Sequence, residues 1–229
     1  LYDRRVCMSR IEPFLQKPIV KVITGMRRTG KTSIMRLLAR RRDIYRNVCF
    51  IDKEDYSFDH VRNYHHLMEE VKVKIPVGAK SVLLLIDEVQ EIEHWEKAVV
   101  SLIKRPEFDV VVSGSNASLL AGELASLLTG RFIEIEVNIL SYPEYIEFSD
   151  NEADIQDYIK FGGLPGLHQF SPDKEVFTRY LESVFDSVLL RDIVQRYSIR
   201  NVQLLRRVCA VSYTHLRAHE TPEHLVCRL

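Results

Sequence analysis

The hydrophobic positions of the chain are arranged differently before and after about residue 141. In the first part, short apolar segments alternate with stretches of helical periodicity; the apolar segments are residues 19–24, 47–52, 82–87, 109–113 and 132–137. The continuous apolar run at 82–87 is typical of a parallel strand covered on both faces. Strands that alternate with helices predict a doubly wound parallel sheet flanked by helices, an α/β fold.

Helices are expected between these strands. Residues 32–40 and 94–104 have helical spacing, and Trp95 is expected to pack in the core. Asp59 has the side chain of an N-cap residue, so we expect it to open a helix that runs to about Val71.

Beyond the last strand the pattern is helical only. Ser141 and Glu144 have the spacing of a capping box and open a further helix. Residues 174–197 place apolar side chains at three- and four-residue intervals on one face. We therefore predict a core over residues 1–148 that is followed by a small helical lid over residues 149–200.

The segment between the first strand and the first helix matches the complete phosphate-loop (P-loop) pattern G-x-x-x-x-G-K-[ST]. The candidate nucleotide-binding residues are Gly25, Met26, Arg27, Arg28, Thr29, Gly30, Lys31, Thr32 and Ser33. Glycines allow the backbone N–H groups to curl around phosphate oxygens, and the helix N-terminus adds positive potential. The pattern predicts a site for a purine nucleoside triphosphate, ATP with Mg²⁺.

Individual side chains of the loop receive specific roles from this chemistry. Lys31 is expected to reach the β- and γ-phosphates, and the hydroxyl of Thr32 to ligate Mg²⁺. Two alternatives stay open for Arg27 and Arg28. They contact phosphates or a neighbouring subunit, or they are exposed loop arginines.

Two carboxylates follow the apolar segment 82–87, as in a Walker B strand. The carboxyl ends of parallel strands are where α/β sheets place their ligands. Asp87 is predicted to hold Mg²⁺ through its water shell, since Mg²⁺ keeps several waters. Glu88 is predicted to orient and deprotonate the attacking water. The pair favours hydrolysis over binding alone.

The strand at 109–113 is followed by Ser115 and Asn116. In P-loop ATPases with an extra strand between the two Walker motifs, a polar residue here contacts the γ-phosphate or the water. Both residues are also good N-caps for a helix that starts at Ala117. The two interpretations stay open.

Composition narrows the function classes only a little. The 229 residues carry a formal net charge of zero, so no overall charge draws the chain to nucleic acid or to an anionic membrane. The four cysteines are scattered without a CxxC pair. This spacing favours a reducing compartment and argues against a zinc site. No apolar run is long enough to span a bilayer. We expect a cytoplasmic protein.

Taken in order, several motifs resemble those of bacterial and archaeal AAA-type P-loop ATPases that carry a C-terminal DUF4143 domain. The motifs are GMRRTGKT at 25–32, LLLIDEVQEIEHW at 83–95, VSGSNASLL at 112–120, LLTGRFIEIEV at 127–137, LSYPEY at 140–145, GGLP at 162–165 and RDIVQRY at 191–197. The resemblance implies an AAA+ core of the ASCE type, a helical lid and a winged-helix-like C-terminal domain.

Two further roles come from the resemblance alone. Arg131 is similar in position to an arginine that senses the γ-phosphate, in cis or across a subunit interface. It is equally explained as a surface arginine at the start of a strand. Residues 162–165 resemble the turn that brings the lid to the nucleotide, and a plain turn between helices needs the same residue types.

The end of the chain is expected to be of mixed origin. Residues 201–210 would be the start of a truncated C-terminal domain. Residues 211–229 resemble one reading frame of a sequencing adapter, so we expect them not to be native. For that reason His215, His219 and His224 are not taken as metal ligands.

Two functional hypotheses remain after these steps. The first is an ATPase of the AAA type that couples hydrolysis to movement of its domains. The alternative is a slowly hydrolysing, nucleotide-gated switch that binds DNA or a protein partner through its C-terminal domain. A homo-oligomer is compatible with both. A GTPase is disfavoured because no NKxD-like motif follows the P-loop, and no motif indicates the acceptor pocket of a kinase.

Overall fold

A computed structural model describes residues 4–114, 130–149, 154–170, 173–188, 193–194 and 197–219. Ser115, Asn116 and the helix expected from Ala117 lie outside these residues.

The described residues form five strands and eight α-helices. The strands are β1 (Val20–Thr24), β2 (Asn47–Asp52), β3 (Val82–Asp87), β4 (Phe108–Ser113) and β5 (Phe132–Glu136). The helices are α1 (Arg5–Ile11), α2 (Lys31–Ala39), α3 (Tyr64–Lys74), α4 (Trp95–Leu102), α5 (Tyr142–Phe148), α6 (Ile155–Phe161), α7 (Lys174–Val188) and α8 (Val202–His219). Short 3₁₀ turns cover Glu12–Phe14, Tyr56–Phe58, Val89–Glu91 and Pro165–Gln169.

The strands form one parallel sheet in the order β2-β3-β4-β1-β5. Strand β4 therefore lies between β1, which precedes the P-loop, and β3, which ends at Asp87. Because the strands are parallel, their carboxyl ends meet at one edge of the sheet. This arrangement confirms the predicted α/β fold, a parallel sheet flanked by helices.

Helices cover the sheet on both faces, and the alternation of side chains in β3 shows how. Leu83 and Leu85 pack with α1 and α2 on one face, whereas Leu84 and Ile86 pack with α3 and α4 on the other. All these side chains are fully buried. Two covered faces explain why the sequence of this strand is apolar at consecutive positions. Trp95, the first residue of α4, packs in the core on the same face as α3, as predicted.

One buried polar cluster lies at the amino ends of β1 and β4. The Lys21 ammonium pairs with the Asp109 carboxylate, and the Tyr45 hydroxyl donates to the same carboxylate. The N–H of Gln16 also donates to Asp109, and Lys21 donates to the carbonyl of Lys17 at 3.1 Å. Burial lowers the pKa of Lys21, and Asp109 acts in the opposite direction.

The predicted start of the helix before β3 is wrong. Asp59 has helical dihedral angles and ends the 3₁₀ turn Tyr56–Phe58. An N-cap needs an extended backbone so that its side chain can reach the N–H groups of the first turn. Asn63 meets this requirement and accepts from the N–H groups of His65 at 3.0 Å and His66 at 3.1 Å.

The helices that follow the sheet agree with the predicted pattern where they are described. Helix α5 begins with the predicted capping box of Ser141 and Glu144. Helix α7 begins at Lys174 and is described to Val188, and residues 189–192 and 195–196 of the predicted segment lie outside the described part.

The chain divides into two compact units, residues 1–177 and 178–229. In the first unit, Phe161 packs edge-on against Phe177. In the second, Arg206 forms an ion pair with Asp186 at 2.9 Å. The predicted domain limits at residues 148 and 200 stay predictions. No helix in the described part of the chain combines the length and the apolar character needed to cross a membrane.

Candidate functional site

The P-loop joins β1 to α2 at the carboxyl edge of the sheet. Gly25 and Gly30 both have positive φ, 147° and 98°, a conformation that glycine adopts without steric cost. A Cβ atom at Gly25 would lie 2.2 Å from the carbonyl oxygen of Val137, so the close approach of two backbones also requires glycine there. The loop conformation therefore depends on glycine at these two positions.

Lys31 begins helix α2, and its side chain turns back into the loop. Its ammonium donates to the carbonyl oxygens of Gly25 at 2.9 Å and Met26 at 3.1 Å, and the residue is buried. The hydroxyl of Thr29 donates to the same Met26 carbonyl at 2.8 Å. The loop is thus closed around the lysine ammonium, which is the group that the sequence assigns to phosphate.

The other loop residues surround this centre. Thr32 and Ser33 lie half-buried in the first turn of α2. Met26 and Arg28 are exposed, and Arg27 is half-buried. Arg28 adopts positive φ, 64°, which is uncommon for a residue other than glycine.

Asp87 ends β3 at the same edge and is fully buried. Its Oδ1 atom accepts from the hydroxyl of Ser113, at the end of β4, and from the N–H of Glu88 at 3.1 Å. Its Oδ2 atom has no hydrogen-bond partner among the described residues. A buried carboxylate oxygen without a donor fits a water ligand of Mg²⁺, and the hydroxyl of Thr32 supplies a second oxygen of the type that this ion prefers.

Glu88 follows in a left-handed conformation, φ 50° and ψ 49°. Such strain in a residue other than glycine occurs often at functional sites. The Gln90 side-chain amide donates to the Glu88 carboxylate. Burial raises the pKa of Glu88 above its ordinary value, while the bond from Gln90 and the charges of Lys31 and Arg27 act in the opposite direction. Lys31 of the P-loop and Glu88 therefore lie within electrostatic reach of each other.

Arg131 lies elsewhere. It precedes β5, its side chain is exposed, and its carbonyl accepts from the N–H of Val20 at 2.9 Å. Val20 is the first residue of β1, so Arg131 stands at the amino edge of the sheet, about one strand length or ~16 Å from the P-loop edge. This position offers no support for a cis role, and a role across a subunit interface stays a prediction.

The turn at residues 162–165 lies beside the P-loop. Pro165 comes within 3.9 Å of the point where a side chain on Gly30 would begin. The carbonyl of Gly163 accepts from the N–H of Leu140 at 2.7 Å, and a Cβ at Gly163 would lie 2.2 Å from the Leu140 oxygen. The close packing of this turn explains its second glycine.

Three contributing residues were not found from the sequence. Ser113 contacts Asp87, although the sequence pointed to the two polar residues that follow Gly114. Gln90 contacts Glu88, and only its position two residues after the acidic pair could have indicated it. Arg4 donates to the P-loop carbonyl of Thr29 at 2.9 Å, and no sequence pattern marks it.

Comparison with a family model gives a match that covers all five described strands. A family model described as AAA domain matches residues 17–146, more than half of the chain. This range includes the P-loop, Asp87 and Glu88.

Two curated relatives are described as uncharacterized proteins. A Haemophilus influenzae protein is 31% identical over an alignment of 222 residues, and the match covers 91% of this chain and 54% of the relative. A Methanocaldococcus jannaschii protein is 29% identical over an alignment of 208 residues, and the match covers 82% of this chain and 44% of the relative. The chain spans about half the length of these relatives.

The solved structures that are similar have low scores. Caenorhabditis elegans PCH-2 gives a TM-score of 0.44 at 16% identity and covers 82% of this chain and 70% of its own. The Drosophila origin recognition complex (ORC) bound to DNA gives 0.40 at 14% identity, with 60% of this chain and 91% of its own covered. On the match of the family model, this chain belongs to the AAA domain family of P-loop ATPase-type proteins.

Proposed function

We propose that the protein is a Mg²⁺-dependent ATPase that hydrolyses ATP at the carboxyl edge of its sheet and couples this reaction to conformational change. The observation that carries the proposal is that the carboxylates of Asp87 and Glu88 follow one another at the carboxyl edge of the sheet, with Lys31 of the P-loop within electrostatic reach of Glu88. One of these carboxylates keeps a buried oxygen without a protein donor in the described part of the chain.

Binding of the triphosphate would change the contacts of Lys31 first. Its ammonium now bonds two carbonyl oxygens, and phosphate oxygens offer it charged acceptors, which form stronger hydrogen bonds. The backbone N–H groups between Gly25 and Thr32 supply further donors, and the N-terminus of α2 adds positive potential. These groups hold the β- and γ-phosphates in place.

Thr32 and Asp87 would hold Mg²⁺, the first through its hydroxyl and the second through water. When bound, Mg²⁺ neutralises charge on the β- and γ-phosphate oxygens. The hydrogen bond from Ser113 orients the Asp87 carboxylate, so that Oδ2 faces a fixed direction.

Glu88 would act on the attacking water. Its carboxylate accepts a proton while the water oxygen bonds to the γ-phosphorus, and the bond from that phosphorus to the β,γ-bridging oxygen breaks. ADP leaves with the electron pair of the broken bond, and the hydroxyl left from the water becomes part of the inorganic phosphate. A raised pKa makes the Glu88 carboxylate a stronger base, because an effective general base has a pKa near the operating pH.

Steady-state phosphate release with MgATP tests the proposal. The protein should turn over, Glu88→Gln should abolish turnover while binding is kept, and Lys31→Ala should weaken MgATP binding strongly. Absence of turnover in the wild type despite tight binding would refute the hydrolytic function. MgATP affinity retained in Lys31→Ala would refute the site.

A second candidate function is a slowly hydrolysing switch gated by nucleotide. The hydrogen bond from Gln90 favours it, because a carboxylate held by an amide is less available to water. Under this function the partner, DNA or protein, would bind through the C-terminal domain that the sequence resemblance implies. Slow turnover that rises on addition of a partner would distinguish the switch from a constitutive ATPase.

The nature of the C-terminal region is part of the same proposal. We infer from the sequence resemblance that residues 201–210 are the start of a truncated DUF4143 domain, and we infer that residues 211–229 are not native. Helix α8 runs through this boundary. Resequencing of the genomic locus decides the matter: a native reading frame that continues as VSYTHLRAHET would refute the second inference.

A further inference from the structure

The guanidinium group of Arg4 connects three segments that are far apart in the sequence. Its Nη1 donates to the carbonyl of Thr29 at 2.9 Å and to that of Asn138 at 3.2 Å, and Nη2 donates to Asn138 at 3.2 Å. Its Nε donates to Oε1 of Glu144 at 3.0 Å, and Nη2 reaches Oε2 at 3.4 Å. The P-loop, the segment after β5 and the start of α5 are thus joined at one side chain.

This arginine is part of the interior. Arg4 is 4% exposed, and Glu144 is largely shielded from solvent. A buried guanidinium is tolerated only where acceptors replace its lost water, and here two carbonyl groups and a carboxylate do so. Arginine suits this site because its planar fork donates in several fixed directions, which a lysine ammonium cannot reproduce.

The bond to Thr29 determines the orientation of the next peptide group. The peptide between Thr29 and Gly30 is trans, so the carbonyl of Thr29 and the N–H of Gly30 point in opposite directions. Because Arg4 holds this carbonyl on its own side of the loop, the N–H of Gly30 points away from Arg4. A Cβ built on Gly30 would lie 4.0 Å from Nη1 of Arg4, which places the guanidinium directly beside this peptide.

We propose that Arg4 is a positioning residue for phosphate binding, which fixes the P-loop peptide 29–30 so that the N–H of Gly30 is presented to the phosphates. The inference rests on the proposed function, since it assigns a role within the same nucleotide site. Arg4 touches the loop from its outer side and acts through the backbone. The two bonds to the carbonyl of Asn138 hold the guanidinium in place, and the contact with Glu144 ties it to the start of α5.

The experiment compares Arg4→Met with Glu144→Gln in the otherwise complete chain. Glu144→Gln keeps the arginine, its bond to Thr29 and an acceptor oxygen, but removes the charge of its partner. Calorimetric titration with MgATP and with inorganic tripolyphosphate is done well below the unfolding midpoint of each variant. Tripolyphosphate has no base or ribose, so it reports on the phosphate loop alone.

Arg4→Met should bind both ligands about tenfold more weakly, because a charge-assisted hydrogen bond that orders a donor is lost. Glu144→Gln should bind both ligands within about twofold of wild type, although its unfolding midpoint falls too. Arg4→Lys should lie between the two. If Arg4→Met does not fold, the comparison of Arg4→Lys with Glu144→Gln decides by the same criterion.

Two results would overturn the inference. One is wild-type affinity in the Arg4 variants together with a lowered unfolding midpoint, which would make Arg4 a structural tie only. The other is an equal loss of affinity in Glu144→Gln, which would assign the effect to α5. Failure of the proposed function looks different, because the wild-type chain itself would then release no phosphate from MgATP, or would bind neither MgATP nor tripolyphosphate.

Discussion

Polar side chains are buried at both edges of the parallel sheet, but the two groups differ in how completely they are hydrogen-bonded. The buried polar group at the amino edge, here called the amino-edge cluster, consists of Lys21, Tyr45 and Asp109. Both oxygens of Asp109 accept hydrogen bonds, from Lys21, Tyr45 and the N–H of Gln16. Every partner is part of the protein, so this cluster is complete as it stands.

The group at the carboxyl edge, here called the carboxyl-edge cluster, consists of Lys31, Asp87, Glu88, Gln90 and Ser113. Here Oδ2 of Asp87 and Oε1 of Gln90 are buried without a partner in the described part of the chain. Buried acceptors without donors cost free energy unless water or a ligand satisfies them, and beside a P-loop the water shell of Mg²⁺ can do so. The difference teaches that burial of charge alone does not mark a functional site, and that open acceptors beside the P-loop distinguish the carboxyl edge from the amino edge.

The largest expected effect is on hydrolysis at the carboxyl edge. Glu88→Gln keeps the size of the side chain but removes the proton acceptor, so turnover should fall by about 10²- to 10⁴-fold. MgATP affinity should stay within a few-fold, because the P-loop is untouched. Phosphate release and calorimetric titration measure the two quantities. Equal turnover in the variant would mean that another group accepts the proton.

The amino-edge cluster should respond in stability alone. Asp109→Ala leaves the Lys21 ammonium buried without its partner, and the free energy of unfolding should fall by about 3–5 kcal/mol. Nucleotide affinity, measured well below the unfolding midpoint, should not change. Urea denaturation measures the stability. The comparison would break down if nucleotide affinity fell in parallel with stability.

A double replacement provides the matched control. Lys21→Met with Asp109→Asn removes both charges but keeps an oxygen that accepts from the Tyr45 hydroxyl and the N–H of Gln16, and removal of both members of a buried ion pair is often neutral. The double variant should therefore recover most of the stability that Asp109→Ala loses. A double variant as unstable as the single one would show that packing, rather than the unpaired charge, explains the loss.

The sequence predicted the carboxyl edge far better than the contacts that support it. Gly25, Gly30, Lys31 and Asp87 stand in local motifs whose chemistry requires neighbouring residues, so their spacing along the chain is informative. Arg4 reaches the same loop from a distant segment, and such a contact exists only after folding.

The sheet and one helix start show the same division. Consecutive apolar residues in β3 predicted its bounds, because two covered faces need apolar side chains at every position. The start of α3 was not predicted correctly, because Asp59 and Asn63 both have side chains that suit an N-cap. Only the backbone dihedral angles decide which of them can act as one.

A smaller effect of opposite sign is expected for Asp87. Asp87→Asn removes a buried negative charge whose Oδ2 has no donor in the described structure, so the chain without nucleotide should gain up to about 1 kcal/mol of stability. Binding of MgATP should weaken, while binding of ATP in the presence of EDTA should change little. Loss of several kcal/mol would show that Asp87 belongs with the structural charges of the amino edge.

The smallest effect is expected at Ser113, whose hydroxyl donates to Oδ1 of Asp87 across the β3–β4 pair. Ser113→Ala leaves the backbone pairing of β3 with β4 and the bond from the Glu88 N–H to Asp87 in place. Stability should change by about 1 kcal/mol or less. The carboxylate would be held by one hydrogen bond instead of two, so the Mg²⁺ concentration for half-maximal turnover should rise several-fold while maximal turnover is nearly kept. Ser113→Thr, which retains the hydroxyl, serves as the control. A drop in maximal turnover without a change in the Mg²⁺ requirement would assign Ser113 to the reacting water instead of to the orientation of Asp87.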